Sequence, residues 1–333
     1  MIIFSQCDSV FNDDSSDRNR ATRLFPKLKI NSTIKMTVQT VNKSDNKLWL
    51  AAIKPPMYSV AIMPIWVGSA IAIWEKGLIN WSIFSTFTIS AILILAWENI
   101  SNDVFDSETG IDQNKHHSLV NLTGDKSLIF WLGNLCLFWG ILGILAISWW
   151  QQDLTVIGLI LLCCFLGYLY QGPPFRLGYQ GLGELLCFLA FGPLAISAAY
   201  YSQTQAWSIT SLTASIIIGI TTTIILFCSH FHQVEDDLAA GKRSPIARMG
   251  TKAGAELLNW CCGIVFVLIF LCVSLGFFPV WTLLSFASLP FAIQLCRHVG
   301  NYHDQPEKIS NCKFIAVYLH FFSGLLFGLG FVI

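Results

Sequence analysis

Apolar residues come in long, nearly uncharged runs along this chain, without the alternation expected of half-buried strands. Nine such windows stand out, at about 57–74, 79–101, 128–150, 154–171, 182–201, 209–231, 257–278, 281–297 and 314–333. A run of about 18 or more apolar residues is long enough, as a helix, to cross the hydrocarbon of a bilayer. The pattern therefore predicts an all-α, polytopic membrane protein of nine transmembrane helices. Residues 1–47 are polar, with Asp8, Asp13, Asp14 and Asp17 among the bases, and lack the apolar core of a secretory signal. A disordered tail is expected there, ahead of a helical domain over 48–333.

Composition agrees with the pattern. Of 333 residues, 54% are hydrophobic and 12% charged, where a soluble domain carries about 25% charged. Net charge is zero, yet the placement of charge is uneven. Nine of the twenty Lys and Arg lie in residues 1–54 and ten follow even-numbered windows, leaving Lys76 alone after an odd-numbered one. The positive-inside rule then puts the N-terminus and the even loops on the cytoplasmic side, or the stromal side in a plastid. The basic residues are shared among loops beside acids, so no nucleic-acid partner is expected. The eleven Cys show no C-x-x-C spacing and read as small residues packed in a reduced setting.

Against this apolar background, polar clusters are conspicuous. The second window runs into "AWENISNDVFDSETGID" at 96–112. On a helix, Asn99 and Asp103 are four residues apart, as are Asn102 and Asp106, so the four share a broad face at one end. Charge beside a bilayer is costly and usually faces the bundle interior, where it serves a substrate or an ion. Ordinary helix capping does not need four such residues. Oxygen donors without His or Cys at ligand spacing suit a hard cation such as Mg²⁺, which commonly shares its shell with substrate phosphates. Gly110 would let the chain bend back and bring Asp112 in as a further ligand.

A second cluster follows the sixth window, "CSHFHQVEDDLAAGKRS" at 228–244. If the helix continues, Ser229, Gln233 and Asp237 step along one face, while His232 and Asp236 pair on a neighbouring one. Lys242 and Arg243 come just after. Acids followed by cations make sense if a metal-bound polyanion lies between them. Lys115, Lys126 and Arg176 could add cations around both patches, although positive-inside placement alone also accounts for them. Glu184 fits a helix start on dipole grounds alone.

Two acid clusters facing one membrane-embedded cavity suggest a diphosphate leaving group whose hydrocarbon tail lies among lipid-facing helices. Metal bound to the diphosphate would favour ionisation of an allylic C–O bond, and an electron-rich aromatic carbon would accept the cation. The reaction class is prenyl transfer.

At this point the motifs resemble a family. "NDVFDSETGID" at 102–112 is similar to the first Asp-rich motif of the UbiA intramembrane prenyltransferases, and the resemblance runs from about Trp49 to the C-terminus. The spacing N-D-x-x-D-x-x-x-G-I-D, with Asn114–Lys115 beyond it and "YQGLGE" at 179–184, is similar to the naphthoate branch that makes menaquinone or phylloquinone. Within that branch "HFHQVEDDLAAGKRSP" at 230–245 looks like the cyanobacterial and plastid enzymes. The resemblance implies transfer of a phytyl or other polyprenyl group from its diphosphate to a carboxy-naphthoquinone or dihydroxynaphthoate, with loss of CO₂. It also implies a nine-helix bundle and Mg²⁺ as cofactor.

Carried over, the first motif falls on Asn102, Asp103 and Asp106, with Asp112 as its extension. The second usually reads D-x-x-x-D-x-x-x-G-K; aligned on Gly241–Lys242, its second Asp is Asp237 but its first position is Gln233, an amide. The implied site has Asn102, Asp103, Asp106, Asp236 and Asp237 on the metal. Asn99, Asp112, Gln233 and Lys242 would lie on substrate or diphosphate, with Asp103, Asp106, Lys115 and Arg176 as the catalytic set. Two rivals stand beside this reading. A sister prenyltransferase would take homogentisate, chlorophyllide, hydroxybenzoate or haem, and a secondary transporter would place its acids near mid-membrane.

Overall fold

Each predicted window becomes a helix because a chain in lipid has no water to satisfy its backbone, and a helix satisfies it internally. The computed structural model describes residues 49–50, 52–77, 79–111 and 118–333. The predicted tail, Asp112 and Lys115 lie outside the described residues.

Among the described residues, eight helices are long and apolar enough to cross a membrane, and a ninth, shorter apolar helix fills the remaining window. In chain order they are α1 (Pro55–Lys76), α2 (Trp81–Thr109), α3 (Lys126–Gln151), α4 (Thr155–Gln171), α5 (Gly183–Thr204), α6 (Ile209–Ser229), α7 (Thr251–Ser274), α8 (Val280–Tyr302) and α9 (Pro306–Val332). No strand occurs among the described residues. Three short helices, Leu119–Thr123, Val234–Ala239 and Pro245–Met249, lie in the loops after α2 and α6.

The helices differ in burial. The most apolar window of α6 is 67% buried and that of α1 61%, against 22% for α3. Thus α1 and α6 are interior, and α3 lies at the periphery, where Trp131, Phe138, Trp139 and Trp149 are exposed. An interior helix carrying many hydroxyls must satisfy them. Thr222 and Thr223 of α6 each donate to the carbonyl four residues back, while the buried Thr221 hydroxyl donates to Ile218 O and also meets His320 Nδ1 of α9 at 2.9 Å, so α6 satisfies these side chains within itself and across one helix contact.

Successive helices alternate in direction, and each end of the bundle has its own polar seam. At one end Glu75 of α1 accepts from Tyr200 and from Ser208 Oγ (2.8 Å), while Tyr201 donates to Asp153 (2.9 Å). The other end gathers the finish of α2, α4 and α6 and the starts of α1, α5 and α9. Among the described residues it also holds every Lys and Arg except Lys76, which is the partition predicted from sequence.

Candidate active site

The first acidic cluster extends α2 beyond its apolar stretch. The helix continues to Thr109 and stops at Gly110, whose φ of 78° belongs to the left-handed region that glycine enters at no steric cost. Asn99 and Asn102 line an internal cavity of about 180 Å³ together with Glu98, Tyr170, Ser229 and Lys313. Asn99 Nδ2 also donates back to Leu95 O at 3.1 Å. Asp103 and Asp106 lie beside that cavity, buried at 1% and 9% exposure. Asp103 Oδ2 accepts from the Leu119 backbone N–H (3.0 Å), and its Oδ1 is 3.6 Å from Lys54 Nζ. Asp106 Oδ1 accepts from the Tyr179 hydroxyl at 2.8 Å. The face expected to carry all four side chains is thus divided between a cavity wall and a protein-bonded flank.

The second cluster departs from the sequence expectation in backbone. The sixth helix ends at Ser229, residues 230–233 turn, and a new short helix, Val234–Ala239, begins after Gln233. Ser229 and Gln233 therefore do not share a helix face, and neither do His232 and Asp236. The break is held by burial: Phe231 is 1% exposed and packs edge-on to Phe227, with ring centroids 5.8 Å apart. Gln233 caps the short helix, its carbonyl accepting from the Asp237 N–H at 2.8 Å. Asp236 is half-buried and Glu235 exposed.

Asp237 is fully buried and centres a charged string. Its Oδ2 is 3.2 Å from His230 Nδ1, its Oδ1 is 3.3 Å from Lys242 Nζ, and His230 Nε2 is 3.4 Å from Glu184 Oε1. Burial would push the Asp237 carboxyl up, but the His230 hydrogen bond and the Lys242 ammonium outweigh it and hold the pKa below its ordinary range. For His230, burial disfavours the imidazolium; hydrogen bonds to Asp237 and Glu184 prevail and raise the pKa.

The loop between α4 and α5 joins the two acid clusters. Tyr179 binds Asp106 through its hydroxyl, its ring lies 5.7 Å from Lys242 Nζ, and its carbonyl accepts from the Arg243 N–H at 2.8 Å. Arg248 donates to Gln180 O at 3.0 Å. Burial, then the neighbouring Asp106 charge, raise the Tyr179 phenol above its ordinary pKa, so it stays a donor. Arg176 is paired with Glu108 at 3.0 Å, and Lys126 reaches the same carboxylate at 2.6 Å.

Among the described residues no three His, Cys, Asp or Glu form a ready metal cluster. Asp103, Asp106 and Asp237 each face a protein donor instead. The donor set itself consists of hard oxygens at one end of the bundle, which suits Mg²⁺ and not a soft metal. Sequence reasoning missed Tyr179, His230, Glu108 and Glu98, read Glu184 only against the helix dipole, and counted Lys313 only as an orientation charge. The signal for Tyr179 was present: it opens the "YQGLGE" loop. His230 stands at the head of the second motif, where His232 drew attention instead.

Residues 61–325 match the sequence model of the UbiA prenyltransferase family. The chain is 60% identical over 285 residues to 2-carboxy-1,4-naphthoquinone phytyltransferase of Synechocystis sp., covering 86% of this chain and 93% of that protein. It is 40% identical to the chloroplastic 2-carboxy-1,4-naphthoquinone phytyltransferase of Arabidopsis thaliana, covering 86% of this chain and 77% of that one. A UbiA homolog from Archaeoglobus fulgidus solved with GPP and Mg²⁺ has a similar fold (TM-score 0.52, 14% identity), covering 84% of this chain and 99% of that one.

Proposed function

The chain belongs to the UbiA prenyltransferase family, and on that footing we propose that it moves a phytyl group from its diphosphate to a carboxy-naphthoquinoid acceptor. The new bond forms at the carboxylate-bearing ring carbon, diphosphate departs with the electrons of the allylic C–O bond, and the ring carboxylate leaves as CO₂. The acceptor and the phytyl donor follow the names of the two phytyltransferases above, and place the reaction in phylloquinone or menaquinone biosynthesis. The protein is an integral membrane prenyltransferase, so the transporter reading is set aside. The observation that carries the proposal is Tyr179: one side chain touches Asp106 and lies beneath Lys242, so the two acid clusters meet at one end of the bundle.

The residues divide the work by position. Asn102, Asp103, Asp106, Asp236 and Asp237 would hold Mg²⁺, which when bound draws charge from the diphosphate and weakens its allylic C–O bond. Asp112 and Lys115 lie outside the described residues; the family motif implies a diphosphate contact for Asp112 and a catalytic cation for Lys115. Lys242 would meet phosphate oxygens, with Tyr179 and His230 holding Asp106 and Asp237 in place. Arg176, paired with Glu108 at the rim, would meet an incoming anion there. Asn99 would meet substrate in the cavity, and Gln233 would offer a carbonyl oxygen beside Asp237. The cavity, at about 180 Å³, falls below the roughly 300–1,000 Å³ of a typical small-molecule site. It takes the reacting ring and leaves a long isoprenoid chain to run out between helices into lipid. The Lys and Arg partition supports a cytoplasmic or stromal side for this end.

Purified protein incubated with Mg²⁺, phytyl diphosphate and a panel of aromatic acceptors should yield a prenylated, decarboxylated naphthoquinoid product. Homogentisate or hydroxybenzoate should be left unprenylated. EDTA should silence the enzyme and Mg²⁺ restore it, and Asp103→Ala and Asp106→Ala should each abolish turnover. Full activity in excess chelator would refute the metal–diphosphate mechanism, and preference for another acceptor would refute the substrate assignment.

A further inference from the structure

Among the described residues lining the cavity, Glu98 is the one acid and Lys313 the one base. Glu98 lies in α2, four residues before Asn102, and so about 6 Å deeper along the helix axis. Lys313 belongs to the first turn of the Cys312–Val332 segment of α9, at the end where the acid clusters sit. Both residues were left out of the assignment above.

The backbone around Glu98 is arranged to keep its carboxyl in the wall. Gln171 Nε2 donates to Glu98 O at 3.0 Å, which ties α4 to α2. Gly167 faces the side chain: a Cβ there would lie 3.3 Å from Glu98 Oε1, closer than ordinary contact. Glycine at 167 therefore makes room for the carboxyl between the two helices. Among the described residues, Glu98 makes no ion pair, and no donor reaches its carboxyl oxygens. A half-buried carboxyl in an apolar wall without a partner is costly unless something in the cavity completes it.

We infer that Glu98 and Lys313 orient the aromatic acceptor, Glu98 binding a ring oxygen at the deep side and Lys313 its carboxylate at the rim. This inference rests on the naphthoquinoid reading of the preceding section. A carboxyl suits either form of such a ring, because it accepts from a ring hydroxyl when ionised and donates to a ring carbonyl when protonated. An ammonium at the rim pairs with the substrate carboxylate through charge-assisted hydrogen bonds. Held at both ends, the flat ring presents its carboxylate-bearing carbon toward the end where the diphosphate is bound. No bond is made or broken at either residue; their effect is on orientation and selection.

The test is a split of Michaelis constants. Wild type, Glu98→Gln, Glu98→Leu, Lys313→Arg and Lys313→Gln are assayed with acceptor varied at saturating phytyl diphosphate, and with phytyl diphosphate varied at saturating acceptor. Glu98→Leu should raise the acceptor KM about ten- to a hundredfold, the effect of losing a hydrogen bond to an ionisable group. Its KM for phytyl diphosphate should change less than about twofold. Glu98→Gln, which keeps shape and hydrogen-bonding capacity, should fall between wild type and Glu98→Leu, and it decides the matter if Glu98→Leu does not fold. Lys313→Arg should retain acceptor affinity that Lys313→Gln loses. An analogue without the ring oxygens should bind wild type poorly, but Glu98→Leu no worse than the natural acceptor. An unchanged acceptor KM in the Glu98 variants, or a Lys313→Gln effect on phytyl diphosphate alone, would overturn the inference. Wild type that prenylates no naphthoquinoid acceptor would overturn the function instead, and the two failures are thus distinguishable.

Discussion

Asp237→Asn tests whether the string from Glu184 to Lys242 is one interacting unit. Asp237 is fully buried, with His230 at 3.2 Å and Lys242 at 3.3 Å. Asparagine keeps the shape and one acceptor oxygen but leaves Lys242 without its carboxylate and His230 with Glu184 alone. Breaking a buried pair by removing one partner costs about 3–5 kcal/mol, and the retained amide puts this variant near the lower figure. For a chain of this size that corresponds to a Tm lower by roughly 4–7 °C. Lys242→Met alone should cost less, because His230 still neutralises Asp237. The double variant should lose less than the sum, with a coupling of about 1–3 kcal/mol, since neither charge is then left unpaired. Unfolding in detergent can be followed with a thiol-reactive dye, because Cys228, Cys262, Cys272 and Cys312 are free and buried. At temperatures where the variant is folded, it should also need more Mg²⁺ for half-maximal rate. Single variants that shift Tm by less than about 2 °C, or a double variant equal to their sum, would show that the string carries no joint energy.

Tyr179→Phe removes the donor to Asp106 while keeping the ring beneath Lys242; it should lower kcat about tenfold at limiting Mg²⁺ and leave Tm within a few degrees, as steady-state rates against Mg²⁺ will show. For pH, His230 has its pKa raised above the ordinary 6.5, so its stabilisation is complete below that value and is lost as pH rises through the folded-state pKa. Wild-type Tm should therefore decline as pH rises above about 6.5, and His230→Gln should flatten the decline. Asp237, with its pKa held below the ordinary 3.8, adds stability that is lost only as pH falls through a still lower value. Single-cysteine labels at 240–250 and at 110–125 should react from one membrane face and labels at Gln151–Gln152 from the other; acidic loops reacting from opposite faces would rule out a shared diphosphate.

The nine windows were legible because bilayer thickness fixes a helix length that hydropathy reports directly. Their polar ends were legible in one case and not in the other. The apolar part of the second window stops at residue 101, but 99–106 reads as the same helix with a bend at Gly110, and α2 does run to Thr109 and stop there, with Asp103 and Asp106 finding partners in Leu119 and Tyr179 that lie in other loops. The sixth window was misread. "CSHFHQVEDDLAA" contains no Gly or Pro until Gly241 and reads as continuing helix, yet the chain turns after Ser229. What turns it is tertiary: Phe231 enters the core beside Phe227, and His230 reaches Asp237 and Glu184. Helical periodicity contains no term for such contacts, so the i,i+4 argument for Ser229 and Gln233 failed although the motif itself was found.

The same distinction explains which site residues were found. In a chain with 12% charge, acids at helix ends are expensive enough that their presence alone indicates chemistry, and the clusters around Asp103, Asp106 and Asp237 were visible for that reason. Residues that act by joining clusters give no such signal. Tyr179 is 73 residues from Asp106, and Glu184 is 46 from His230; each matters only because loops from different helix pairs meet at one end of the bundle. Glu98 is the instructive case. It stands one residue before Asn99, inside the very stretch that drew attention, but spacing ranks residues by their likeness to a ligand motif. The structure ranks them by what they face, and Glu98 faces the cavity with no donor among the described residues. A carboxyl that the fold accommodates with a glycine and then leaves without a partner is better explained by a substrate than by the fold.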